Sequence, residues 1–125
     1  MKTLSFHQPW AELILQGRKT VDLRTWRTRY RGRIAVHAGQ TVNRAACAAH
    51  GLDPASLPQG ALVGTVEIVG IELLDRETFE ALRSQHLAVK DYPGPVFAWR
   101  LAHPQRLPAP LARPGRRQLY DTPDE

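Results

Sequence analysis

The segment Thr20-Val21-Asp22-Leu23-Arg24-Thr25-Trp26 alternates with period two, so a strand here puts Asp22, Arg24 and Trp26 on one face and Val21, Leu23 and Thr25 on the other. The apolar set reads as core and the polar set as a binding face. An acceptor, a bidentate donor and an aromatic ring side by side could hold a base edge, a phosphate and the face of a base. Equally, Asp22 and Arg24 could pair with each other, a contact worth little if exposed. Lys19 precedes them, an ammonium able to clamp a phosphate or polarise a carbonyl, or simply a lysine drawn to the negative end of a helix. Trp10 and Trp26 flank the group and either stack on a base or pack in a core. Gln8 could read a base edge or cap the helix that begins beside it. Arg31 and Arg33 are candidate phosphate contacts, or members of a solvated basic face. His37 closes a second β-prone run, where an imidazole could act as general base, contact a phosphate, or be a hydrogen-bonded structural residue.

Charge points to the same stretch. The chain carries a formal +5. Between Gly17 and Arg33, the cations Arg18, Lys19, Arg24, Arg27, Arg29, Arg31 and Arg33 face one acid, Asp22, so the positive field is concentrated there. That is the electrostatic footprint expected for a nucleic-acid partner. Cys47 is the only cysteine, which excludes an internal disulfide and the thiolate pairs of most structural zinc sites. His7, His37, His50, His86 and His103 show no ligand spacing, so no metal and no cofactor are expected. No apolar run is long enough to span a membrane, and Met1 to Trp10 lacks the core of a signal peptide; the expectation is a cytoplasmic monomer.

The elements that must position these groups follow from periodicity and punctuation. At 125 residues the chain suits one domain. Thr3 to Phe6 reads as a strand. Pro9 suits the first turn of a helix running from Trp10 to Gln16, which Gly17 stops with left-handed backbone. After Thr20 to Trp26, a further strand covers Arg33 to Ala38, with Ile34 and Val36 inward. Thr41 to His50 reads as a helix, Gly60 to Leu74 as a long strand bent at Gly64 and Gly70, and Asp75 as the cap of a helix from Arg76 to Gln85. Val96 to Leu101 is a strand. From about residue 104, Pro104, Pro108, Pro110, Pro114 and Pro123 predict an extended or irregular C-terminal segment. The sum is a mixed α+β domain of five or six strands, best fitted by a small curved β-barrel with helices at its rim.

The residues also resemble a known family. Leu4-Ser5-Phe6-His7-Gln8-Pro9-Trp10-Ala11, then Gly17-Arg18-Lys19-Thr20-Val21-Asp22-Leu23-Arg24-Thr25-Trp26, then Tyr30-Arg31-Gly32-Arg33-Ile34-Ala35-Val36-His37-Ala38 are similar to the ASCH domain, in its stand-alone prokaryotic form. Gly60 to Val66, Pro95 to Leu101 and Leu107 to Tyr120 look like its later strands and C-terminal extension. The resemblance implies a PUA-like barrel whose relatives bind RNA, with a cleft between barrel and first helix that Lys19 enters.

Function within the family is varied, and two readings follow. One is a binding module for RNA or single-stranded nucleic acid, with a basic cleft around the Gly17 to Trp26 motif. The other is a small hydrolase acting on a modified nucleoside, as in the family's amidohydrolases, or on RNA, with Lys19 and Asp22 as catalytic residues. The deacylases carry a threonine nucleophile three residues after the motif lysine, where this chain has Asp22, and most members have Glu at that position. Their partner glutamate lies in a downstream helix, a region that here holds Glu77 and Glu80.

Overall fold

Residues 1–116 and 119–121 are described by a computed structural model. Six strands form one sheet in the order β2-β5-β4-β3-β1-β6. They are β1 (Lys2–Gln8), β2 (Val21–Arg24), β3 (Gly32–Val42), β4 (Ala61–Leu74), β5 (Val96–Ala112) and β6 (Tyr120–Asp121). Helices α1 (Trp10–Leu15), α2 (Arg44–Ala49), α3 (Arg76–Ala81) and α4 (Arg83–His86) sit between them. β1 and β3 are parallel and every other pairing is antiparallel. The expected α+β class and strand number hold. Hydrogen bonding leaves β2 and β6 as the two ends of the sheet, so the barrel-like curve has a seam.

The curvature has local causes. The β4–β5 register shifts at three places, between Leu62 and Gly64, Thr65 and Glu67, and Ile68 and Gly70. Each bulge bends the strands and increases their twist. Gly64 and Gly70, expected as bend points, fall at two of them. The result brings β2 back toward β1: the Arg24 guanidinium at one end of the sheet donates through Nη2 to the Ser5 carbonyl of β1 at 2.8 Å. Among the described residues β6 pairs with Lys2 and Thr3, so β1 has no described strand neighbour on that side beyond its first residues.

Two cores lie on opposite faces of this sheet. The larger gathers Leu4, Phe6, Ile34, Val36, Val66, Ile68, Trp99 and Leu101, with Ala11, Ile14 and Leu15 of α1 covering it. The smaller packs Val21, Leu74, Phe79, Val96 and Ala98 under α3 and α4. β2 therefore buries both faces. Val21 and Leu23 meet the smaller core as expected, but Asp22, Arg24 and Trp26 point toward the larger one, and Thr25, expected in the core, is exposed.

Several boundaries move for identifiable reasons. Pro9 takes the N-cap position of α1 rather than its first turn. β3 runs on to Val42, and the Asn43 side chain, accepting from the Ala46 N–H at 3.0 Å, starts α2 there instead of at Thr41. Asp75 and Thr78 form a capping box for α3, but the helix ends at Ala81 and a second short turn follows Leu82. The proline-rich region from residue 104 does not leave the sheet: β5 continues to Ala112. Pro104 lies beside His103, whose φ is 53°, where the register steps from Ala102 to Gln105, and Pro108 and Pro110 lie where it steps from Arg106 to Leu111. At bulges the missing proline N–H breaks no ladder bond. Pro123 lies outside the described residues. Among the described residues no helix is long and apolar enough to cross a membrane.

Candidate functional site

The cleft opens at the seam. A cavity of about 350 Å³ lies between Ser5, Phe6 and His7 of β1 and the segment Asp22 to Trp26. A second, of about 500 Å³, continues past Trp10 and Asp22 to Lys19, His86 and Lys90. His7, Trp10, Asp22 and Leu23 line both, so the two are chambers of one groove.

Lys19 reaches the groove because α1 ends abruptly. Gly17, at φ 77°, reverses the chain, and the N–H groups of Arg18 and Lys19 both return to the Leu13 carbonyl. The lysine is therefore buried, not a solvated lysine at a helix end. Its Nζ donates to the His86 carbonyl at 2.6 Å, lies 3.8 Å from Asp22 Oδ1, and sits 5.2 Å from the centre of the Trp10 ring. Burial pulls the Lys19 pKa below the ordinary lysine range; Asp22 opposes that shift and Arg24 reinforces it.

Asp22 lies between two cations. Its Oδ2 accepts from Arg24 Nε at 2.7 Å, on the side away from Lys19. Arg24 spends Nε on Asp22 and Nη2 on Ser5, and stacks over Phe6 at 5.0 Å and Trp26 and Trp99 at 5.9 Å. Trp26 is backed edge-on by Trp99 at 4.7 Å, and its carbonyl accepts from the Trp99 indole at 3.1 Å. The aromatic wall is thus set by packing before any ligand arrives.

The structure brings Trp10, Lys19, Asp22, Arg24 and Trp26 together and places the other sequence candidates elsewhere. Gln8 is buried, with its Oε1 accepting from the Glu12 N–H and its Nε2 donating to the Pro58 carbonyl; both ends of the amide are engaged in capping α1 and fastening a loop. Arg31, just before β3, folds onto the carbonyls of Thr28 and Tyr30, and Arg33, within it, onto Thr65 and the His103 carbonyl. His37 is buried under the C-terminal segment, where its Nε2 donates to the Arg113 carbonyl at 2.8 Å and its Nδ1 meets Ser5 Oγ at 2.9 Å. Glu77 is exposed, and Glu80 pairs with Arg83; neither lines the groove.

Among the groove residues not singled out from sequence are Ser5, His7 and His86. Ser5 and His7 alternate with the core residues Leu4 and Phe6, so period two alone would have put them on the opposite face. His86 is held from both nitrogens: the Ala88 N–H donates to Nδ1, which leaves the proton on Nε2 to donate to the Phe79 carbonyl. Burial lowers its pKa, with Lys19 and Arg83 adding to the effect against the Phe79 bond. This neutral ring anchors the 87–90 wall of the second chamber, and no local pattern announces it.

The chain matches the family model of the ASCH domain over residues 4–110. It is 35% identical over 89 residues to activating signal cointegrator 1 of Mus musculus and to that of Homo sapiens, alignments covering 62% of this chain and 15% of each relative. The chain thus spans a small part of those curated relatives. A crystal structure of ASCH from Zymomonas mobilis superimposes with a TM-score of 0.65 at 16% identity, covering 89% of this chain and 72% of that one, a likeness of fold. The motif that builds the seam, Gly17 to Trp26, lies inside the matched span, and the chain belongs to the ASCH domain family.

Proposed function

We propose that the groove binds single-stranded nucleic acid, RNA foremost, taking one unpaired base between Trp10 and Trp26 and the neighbouring phosphate at Arg24 and Lys19. The observation that carries this reading is the composition of the cleft: two indoles, an arginine held by Asp22 and the Ser5 carbonyl, and a buried lysine, with Asp22 the only acid among the described residues lining either chamber. Stacking holds a base whatever its identity, while fixed cations hold the backbone. Since Asp22 is already paired, the groove keeps a net positive lining.

The Lys19 environment also favours a hydrolytic reading. A lysine whose pKa is lowered by burial, 3.8 Å from a carboxylate, is a better base or nucleophile than an exposed one. One titration separates the two. Fluorescent single-stranded RNA, duplex RNA and single-stranded DNA are titrated at several salt concentrations into wild type, Lys19→Met and Trp10→Ala, and each sample is then assayed for cleavage and nucleoside release. Binding is expected to be tightest for single strands, with log K falling by about 0.7 per neutralised phosphate per decade of salt. Trp10→Ala should cost about 1–3 kcal/mol. Turnover that Lys19→Met abolishes would replace the binding module with a hydrolase. Absence of both binding and turnover would refute both.

A further inference from the structure

A third cavity, of about 540 Å³, lies where the parallel strands β1 and β3 end, under the segment that follows β5. It shares Ser5 and His7 with the first chamber, and His7 with the second as well. The chemistry of its lining differs from theirs. Among the described residues its lining includes Arg113, Arg116, Gln40 and Thr41, and no carboxylate, tryptophan, tyrosine or phenylalanine. Such a lining offers a base little to stack on and a phosphate the Arg116 guanidinium to pair with.

The basic segment is held in place. Its Arg113 N–H donates to the Gly60 carbonyl at 3.0 Å, and its Arg113 carbonyl accepts from His37 Nε2 at 2.8 Å. Gly115 then lies so close over the Ser5–His37 pair that a β-carbon there would come within 2.7 Å of the imidazole. These contacts carry exposed Arg116 to the rim of the cavity. Cations fixed beforehand lose less entropy on binding than cations on a free tail.

We propose that this cavity is a second subsite of the groove, receiving the phosphate-ribose backbone of a single strand whose base occupies the aromatic chamber. The strand passes from one to the other across His7. His37, placed by sequence among the ligand contacts, lines this cavity and holds the segment that carries Arg116. The inference rests on the reading of the groove given above.

Binding of a trinucleotide and of a dodecamer is compared by anisotropy for wild type, Arg24→Ala, Arg116→Ala and Arg116→Glu, with melting curves as a fold control. Arg24→Ala should weaken both ligands. Arg116→Ala should leave the trinucleotide unchanged, weaken the dodecamer several-fold and lower its salt slope by about 0.7, with Arg116→Glu weakening it further. If Arg24→Ala acts while Arg116→Ala changes neither ligand, or changes both equally, the subsite is overturned and the cleft reading survives. If wild type binds neither oligonucleotide, or binds an acidic peptide in preference, both readings fall.

Discussion

Arg24 does two jobs that only a guanidinium can do together. Nε meets Asp22 at 2.7 Å and Nη2 meets the Ser5 carbonyl at 2.8 Å, so one side chain neutralises the groove acid and ties β2 to β1 across the seam. A lysine carries the charge on a single point and lacks the planar fork. Arg24→Lys should therefore keep the net charge yet lose about 1–3 kcal/mol of stability, the range for hydrogen bonds to charged groups, readable in urea unfolding. It should also weaken oligonucleotide binding, because the cation and the Trp26 wall are set by the same contacts. Retention of both stability and affinity would mean that the seam is held by packing alone. The side-by-side placement of Asp22, Arg24 and Trp26 was legible from period two. Their partner Ser5, nineteen residues before Arg24, was not, since no local pattern encodes a contact made by curvature.

Between elements, α1 is fastened to β5 by a fork of two hydrogen bonds, Arg106 Nη1 and Nη2 to Glu12 Oε1 and Oε2 at 2.7 and 2.8 Å. Burial pushes the Glu12 carboxyl up, but the bonds from Arg106 and Gln16, with the Arg106 charge, outweigh it and hold the group below the ordinary glutamate range. A depressed carboxyl stabilises the fold fully above its unfolded pKa, about 4.3, and that contribution is lost as pH falls through the lower folded value. Thermal melts of Glu12→Gln should thus lie below wild type at neutral pH, by up to about 1 kcal/mol for a pair with one exposed partner, and converge with it in strong acid. A difference independent of pH would assign the loss to packing. Arg106 stands in the part of β5 expected to be irregular. Its prolines are compatible with pairing because each falls at a bulge, a matter of register with β4 that a proline count does not reveal.

For the molecule as a whole, an open seam predicts an uneven distribution of stability. β3, β4 and β5 each have neighbours on both sides, while β2 is an end strand and, among the described residues, β6 pairs through two. Native-state hydrogen exchange should find the slowest amides in the central three strands and faster, local opening at β2 and β6, next to the groove. Uniform protection across all six strands would indicate a ring closed more tightly than its hydrogen bonds show. By itself the sequence determined the α+β class, most strands, the stop at Gly17 and the face shared by Asp22, Arg24 and Trp26, because helical and strand periods, caps and glycine conformation act within a few residues. It also concentrated seven cations in one stretch. Only the tertiary structure decided which of them meet the groove: Lys19 and Arg24 turn into it, while Arg18, Arg31 and Arg33 bind nearby backbone or polar side chains outside it. Neighbours in sequence diverge with strand pleat and turn, whereas Ser5 and His7 meet Asp22 and Arg24 because bulges bend the sheet until β2 approaches β1.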